Sequence, residues 1–162
     1  FFSRFPDWKS ICSASGPTLE SVLKPLGLVN RRSGKLQELA CKMVRQRGIF
    51  PSGRKEIMEL PSVGQYVASA IELFVYDRPR PLLDVNMARV LDRYFSLGER
   101  SDIRHDPRLH ALARRLVECS GDPVRVNWAI IDLAATVCLR GKPLCGVCPL
   151  KRGCAHAGVT DS

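Results

Sequence analysis

Four cysteines near the end of the chain are spaced in a way that could hold a metal. They follow a C-x6-C-x2-C-x5-C pattern, and glycines and prolines lie between them. Thiolates this close in sequence bind zinc or a [4Fe–4S] cluster, since both accept four sulfur ligands. Zinc sites usually pair two C-x2-C knuckles, whereas only one such pair occurs here. The four predicted ligands are Cys138, Cys145, Cys148 and Cys154.

A second candidate for chemistry is Asp84, which directly precedes a helix predicted to begin at Val85. A fixed carboxylate can stabilise positive charge that develops on a substrate, or it can orient an attacking water. Aspartate is also a common helix N-cap, a structural role worth about 1 kcal/mol. The spacing alone favours neither role over the other.

A tight hairpin lies between two predicted helices and completes a helix–hairpin–helix motif at about residues 54–76. A turn of this kind directs free N–H groups at a helix N-terminus one way, which favours a bound phosphate. If the position of Ser62 requires a positive φ angle, serine is less favourable there than glycine. The predicted phosphate contacts are Pro61, Ser62, Val63, Gly64 and Gln65.

Composition limits the class of protein. A chain of 162 residues is one domain, or one domain with a small appendage. Its net charge of +9 and pI near 9.5 favour an anionic partner. No apolar run approaches the length of a membrane span. Seven cysteines, four of them clustered, suit a reducing compartment better than a disulfide framework, so we expect an intracellular protein of the cytoplasm or nucleoid.

The elements that must position these residues are helices. Apolar residues recur at helical spacing and no strand pattern appears, which predicts an all-α fold. The segment 124–137 is apolar almost all round and is predicted to be the central buried helix. The three remaining cysteines fall within helical patterns and are predicted to be packed core thiols; they are Cys12, Cys41 and Cys119.

Two of these stretches carry a family resemblance. The hairpin Leu60-Pro61-Ser62-Val63-Gly64, followed by Leu83-Asp84-Val85-Asn86-Met87-Ala88-Arg89, resembles the helix-hairpin-helix DNA glycosylases of the endonuclease III superfamily. Their hairpin reads Leu-Pro-Gly-Val-Gly, and an essential aspartate follows it. The resemblance covers nearly all of the chain and implies the helix-hairpin-helix glycosylase fold with a C-terminal iron–sulfur cluster loop.

The resemblance also implies a domain organisation. Residues 1–137 correspond to the helical domain and residues 138–162 to the [4Fe–4S] cluster loop and tail. Family members normally carry some tens of residues before the point that matches Phe1, and we expect this N-terminal segment to be missing here. In several subfamilies that segment supplies a second catalytic carboxylate. The cysteine spacing matches the family's iron–sulfur loop, which favours [4Fe–4S] over zinc and assigns it a structural role.

Within the family, Asp84 matches the catalytic aspartate and Tyr66 decides the subclass. Relatives that also cleave the DNA backbone carry a lysine there, which forms a Schiff base with the sugar. Tyrosine has no amine, so the resemblance implies a monofunctional enzyme that uses water and leaves an abasic site. In having tyrosine at this position, the chain resembles the thymine/uracil mismatch glycosylases. Without the resemblance, Tyr66 would be a packed aromatic on a helix face.

The implied partner is double-stranded DNA with a mismatched or damaged base, bound by a monomer. A base inside a duplex must be flipped out before it can react, and a side chain then fills the gap. The loop 26–32 is the candidate wedge: Leu28 could intrude, while Asn30 and Arg31 could contact the opposite strand. Lys142 in the cysteine loop could meet a phosphate. The alternative is an ordinary interhelical loop with solvated arginines.

Three further hypotheses stay open. An adenine DNA glycosylase acting opposite guanine or 8-oxoguanine is the closest alternative, although such enzymes usually carry a serine where this chain has Tyr66. A non-catalytic DNA-binding fragment would share the fold and the basic charge. A zinc-stapled interaction domain is the least favoured hypothesis.

Overall fold

The computed structural model describes residues 1–26, 31–98 and 106–160, and within those ranges it contains helices and no strand. The all-α prediction is therefore confirmed. None of the helices in these ranges is long and apolar enough to cross a membrane. The α-helices are α1 (Trp8–Cys12), α2 (Gly16–Leu23), α3 (Arg31–Arg45), α4 (Arg54–Met58), α5 (Gln65–Val75), α6 (Val85–Phe95), α7 (Pro107–Glu118), α8 (Pro123–Thr136) and α9 (Ala155–Thr160).

The chain divides into two compact units, which we call unit 1 (Phe1–Ala68) and unit 2 (Ser69–Ser162). Unit 1 holds α1 to α4, the hairpin and the first turn of α5. Unit 2 holds the rest of α5, α6 to α9 and the cysteine loop. The separate boundary at residue 137, which the family resemblance implies, stays a prediction.

In unit 1, α1 packs on α3 around a small apolar core. Asp7 caps α1 by accepting a hydrogen bond from the backbone N–H of Ser10, and this bond lowers the pKa of its carboxyl group. Cys12 and Cys41 form a disulfide, so the prediction of two packed thiols is wrong. The buried core residues are Phe5, Ile11, Leu19, Leu23 and Ala40.

The sequence could not reveal this disulfide because its partners are 29 residues apart and meet only when α1 packs on α3. The prediction for Cys119 is also wrong, since this thiol is exposed beyond the end of α7. A disulfide also runs against the expectation that the cysteines outside the cluster stay reduced. The apolar pattern around each cysteine predicts the helix that carries it, but it does not predict which residue the side chain contacts.

In unit 2, α6 packs against both α7 and α8. The prediction that α8 is centrally buried is wrong: Asn127 and Ala134 are its buried residues, and Trp128 is 46% exposed. Its contacts with α6 and α7 cover one face, so the apolar residues on the other face stay accessible. There Trp128 stacks on Phe74 of α5 with ring centroids 5.9 Å apart. The buried core of unit 2 includes Met87, Ala88, Leu91, Leu109 and Ala113.

Candidate functional site

The hairpin of unit 1 is a compact turn between α4 and α5. The N–H of Leu60 donates to the carbonyl of Ile57, and the N–H of Val63 donates to the carbonyl of Leu60. Ser62 lies in the left-handed region with φ = 63°. This position therefore does require the positive φ angle that the sequence analysis considered. A residue with a Cβ atom costs about 1 kcal/mol there relative to glycine. The hairpin therefore keeps its shape with a strained residue near its tip.

The exposed side of this turn carries the predicted phosphate contacts. Ser62, Gly64 and Gln65 are exposed, and Pro61 and Val63 are half-buried. Leu60, at the start of the turn, is buried. The first N–H groups of α5 have no acceptor within the helix, because they belong to its first turn. Tyr66 lies in that same turn and its side chain is 41% exposed. The hairpin thus offers backbone donors and one aromatic side chain on an accessible surface.

Asp84 in unit 2 is the N-cap of α6, and both of its carboxylate oxygens are held. Oδ1 accepts the backbone N–H groups of Asn86 at 2.9 Å and Met87 at 2.8 Å. Oδ2 accepts the Asn86 side-chain amide at 2.8 Å. The carboxylate is half-buried, and these three bonds leave one of its four lone-pair sites, on Oδ2, unused. The capping role is therefore real, and it orients the carboxylate without occupying it completely.

A chain of hydrogen bonds continues from this carboxylate along α6. The Asn86 side-chain oxygen accepts from Arg89 Nη1 at 3.1 Å. The same guanidinium donates from Nη2 to the carbonyl of Ala134 and from Nε to that of Cys138, both at 2.9 Å. Arg89 consequently links the residue that orients Asp84 to the end of α8. The sequence motif contains Arg89, but no sequence signal assigned it this role.

The four cysteines of the predicted metal site line one open cavity. Two cationic side chains, Arg93 and Lys151, line the same cavity. Arg93 Nη1 lies 3.5 Å from Cys138 Sγ and 2.6 Å from the carbonyl oxygen of Leu139. Its Nη2 donates to the carbonyl of Arg140 at 3.2 Å. Arg93 therefore fastens the start of the cysteine loop to α6, a function that sequence reasoning missed.

These donors fit an iron–sulfur cluster. Within the described ranges no three metal-binding side chains lie close enough together for a single ion. A cubane cluster does not need such convergence, because each thiolate binds a different iron atom. Four thiolates also bring negative charge, which Arg93 and Lys151 beside the cavity would offset.

The remaining predicted DNA contacts are less well defined. Leu28 and Asn30 lie outside the described residues, and of Arg31 the structure describes only that it begins α3. Lys142 is exposed in the cysteine loop, where a phosphate could reach it. The assignments of these four residues stay predictions.

An all-helical chain with a helix–hairpin–helix, an aspartate at the next helix N-terminus and a four-cysteine loop defines a class, the helix-hairpin-helix DNA glycosylases. The family model described as "HhH-GPD superfamily base excision DNA repair protein" matches residues 1–119. The chain belongs to this family. A solved structure of a thermostable thymine-DNA glycosylase superposes with a TM-score of 0.89 at 30% identity, covering 98% of this chain and 73% of that one.

Curated relatives point in two directions. The thymine-DNA glycosylase of Aeropyrum pernix is 36% identical over 96% of this chain and 71% of its own length. The thymine/uracil-DNA glycosylase of Pyrobaculum aerophilum is 34% identical over 93% of this chain and 66% of its own length. An adenine DNA glycosylase of Buchnera aphidicola is 31% identical over 95% of this chain and 43% of its own length. The chain spans about two thirds of the length of the thymine and uracil relatives.

Proposed function

We propose that this protein is a monofunctional DNA glycosylase that removes thymine or uracil mismatched with guanine in double-stranded DNA. The observation that carries the proposal is the held carboxylate of Asp84, which is half-buried and has both oxygens fixed by hydrogen bonds. The thymine and uracil specificity of similar proteins supports the choice of base. Tyr66 supports the absence of lyase activity, because a Schiff base requires an amine.

The proposed reaction hydrolyses one bond. As the N-glycosidic bond breaks, electrons leave with the base and positive charge develops on the sugar ring. The Asp84 carboxylate stabilises that charge and orients a water, whose oxygen bonds to the anomeric carbon. The proton that the water loses ends on the departing base or in solvent. The product is an abasic site in an unbroken strand.

The hairpin supplies DNA affinity in this proposal. Backbone N–H groups at the start of α5 contact a phosphate, and the net charge of +9 strengthens attraction to the duplex. In the proposed complex, the hydroxyl group of Tyr66 contacts the flipped base or its sugar. The residues assigned to binding and chemistry come from one chain, so we expect a monomer that acts on intracellular DNA.

The proposal includes a [4Fe–4S] cluster held by Cys138, Cys145, Cys148 and Cys154. When bound, the cluster cross-links the C-terminal loop and contributes to folding rather than to hydrolysis. Arg93 holds the start of this loop, and Lys142 lies within it and is exposed. A purified sample that is brown and contains about four iron atoms per chain would support this assignment. A colourless sample with one zinc would contradict it.

Single-turnover base release from a set of matched duplexes tests the function. The set contains T:G, U:G, A:G, A opposite 8-oxoguanine and a fully paired control, each read with and without alkali. Release from T:G or U:G, with strand breaks only after alkali, supports the proposal. Strand breaks without alkali would contradict the assignment of water as nucleophile.

Adenine excision is the second candidate, because adenine DNA glycosylases are also similar over nearly the whole chain. Release from the A:G or 8-oxoguanine duplex, with T:G intact, would replace the first proposal by this one. Tight binding without release from any duplex would identify a DNA-binding fragment that lacks catalysis.

A further inference from the structure

The segment that leads into Asp84 cannot hold itself in place. Residues 77–84 form neither helix nor strand, and Pro79 and Pro81 remove two backbone donors from it. Contacts with neighbouring helices, most of them from side chains, therefore set its position. Leu82, two residues before Asp84, is buried, and its backbone N–H makes one of these contacts.

Asn127 of α8 makes that contact. It is fully buried, and its Oδ1 accepts the backbone N–H of Leu82 at 2.7 Å. Its Nδ2 donates to the carbonyl of Arg80 at 3.0 Å and to that of Pro123 at 2.8 Å. Both amide hydrogens are thus used, so a single side chain holds the segment at two points. A buried amide with this many partners is costly to disturb.

Glu72 of α5 holds the other end of the segment. Its side chain is 1% exposed, and its Oε1 accepts from Arg80 Nη2 at 3.1 Å and lies 3.7 Å from Arg78 Nη1. Its backbone carbonyl accepts the N–H of Arg78 at 2.9 Å. The Arg80 carbonyl and guanidinium are consequently bound to different helices, α8 and α5.

We infer that Asn127 is a positioning residue for Asp84 and that Glu72 supports it through Arg80. The inference rests on the proposed function. Asp84 lies about 7 Å of extended chain or less from Leu82, so a shift of the Leu82 N–H is passed to the carboxylate. Arg89 fixes the chain after Asp84 by binding the carbonyls at the end of α8. One helix therefore sets the position of the carboxylate from both sides.

The position matters because the carboxylate acts on charge that exists only in the transition state. A displacement of about 1 Å at a reacting group can cost about 10²-fold in rate. DNA binding depends on many separate phosphate contacts, so it should be insensitive to such a shift. A positioning role therefore predicts loss of rate without loss of affinity.

Asn127→Asp is the direct test. It keeps the shape and the acceptor for the Leu82 N–H, but it sets an oxygen against the carbonyls of Arg80 and Pro123. We expect single-turnover release of thymine from T:G to fall by about 10- to 100-fold while the duplex Kd changes by less than about twofold. Val117→Ala is the matched control, because Val117 is fully buried in α7 and forms none of the hydrogen bonds described above that hold the segment.

Glu72→Gln is a second variant in case Asn127→Asp fails to fold. It keeps the size of the side chain and removes the charge that faces Arg80, and we expect a rate loss of about three- to tenfold. A double-mutant cycle measures whether the rate effect of Asn127→Asp depends on Asp84, which a general loss of stability would not produce. In an Asp84→Asn background, Asn127→Asp should cause no further loss of rate.

The outcomes separate cleanly. A rate loss for Asn127→Asp that exceeds that of Val117→Ala, and disappears in the Asp84→Asn background, supports the inference. Equal losses in Asn127→Asp and Val117→Ala would overturn it, as would a wild-type rate in Glu72→Gln if Asn127→Asp does not fold. Failure of the wild-type protein to release any base would instead show that the proposed function is wrong.

Discussion

The hairpin and the segment before Asp84 are both irregular loops that end at a helix N-terminus, yet they are built in opposite ways. The hairpin is held by local backbone bonds, has an exposed tip and keeps Ser62 at a positive φ angle. The segment before Asp84 is fixed by a buried amide and a buried carboxylate from two separate helices.

The difference teaches what each loop can tolerate. A phosphate contact made by backbone donors is one of many, so a small shift weakens it slightly. A catalytic carboxylate has one productive position. Because its own loop supplies too few bonds to fix that position, neighbouring helices must supply the rest. We therefore assign affinity to the hairpin and chemistry to the Asp84 region, and the variants below can break that division.

The largest effect is expected for Asp84→Asn. The amide keeps the size of the side chain but loses the charge that stabilises the sugar, so single-turnover base release should fall about 10³-fold. The duplex Kd should stay within about twofold, because the hairpin is unchanged. Asp132→Asn, on the exposed face of α8, is the control and should retain the wild-type rate. A retained rate in Asp84→Asn would remove Asp84 from the chemistry.

Cys41→Ser should produce the next largest effect, on the stability of unit 1. Opening a disulfide between residues 29 apart costs about 3.6 kcal/mol on chain-entropy grounds. Chemical denaturation should detect this loss, while base release well below the transition should be unchanged. Cys119→Ser is the matched control, since that thiol is free and exposed. Equal stability of both variants would show that the disulfide contributes nothing.

Arg89→Leu tests the bonds that follow Asp84. Removing the guanidinium frees Asn86 and the carbonyls of Ala134 and Cys138, so we expect a rate loss of about tenfold with Kd nearly unchanged. Arg114→Leu is the control, because Arg114 forms an exposed ion pair with Glu118, of a kind that contributes little to stability. Similar rates for the two variants would mean that Arg89 does not orient Asp84.

The smallest effect is expected for Ser62→Gly. Glycine relieves the positive φ angle, so the free energy of unfolding should rise by about 0.5–1 kcal/mol in thermal or chemical denaturation. Ser13→Gly is the control: its φ angle is −86°, so the same substitution should stabilise nothing. Destabilisation by Ser62→Gly would show that the serine makes a contact worth more than the strain.

Local patterns in the sequence were enough to predict the helices. The helix predicted to begin at Val85 begins there as α6, and Ser62 has the positive φ angle that the sequence analysis had raised as a condition. The four cysteines were predicted from spacing that lies within one loop, and the structure brings them to one cavity. Each of these features depends on residues close together in the chain.

The features that sequence reasoning missed depend on distant partners. Asn127 lies 45 residues from Leu82, and nothing near it in sequence names that backbone group as its partner. A buried amide within the apolar α8 was a signal, since it must be hydrogen-bonded somewhere. The same apolar pattern wrongly predicted that Trp128 is buried. An apolar pattern predicts a helix, but it does not say which faces of the helix other elements cover.

The most direct test of the division between binding and chemistry measures two quantities on one T:G duplex. Single-turnover thymine release and the Kd are determined together for the wild type, Asp84→Asn and Ser62→Gly. The account predicts that Asp84→Asn loses about 10³-fold in rate at constant Kd, whereas Ser62→Gly keeps the rate and changes Kd by less than about threefold. Weaker binding as the main defect of Asp84→Asn, with the rate of the bound complex intact, would contradict it.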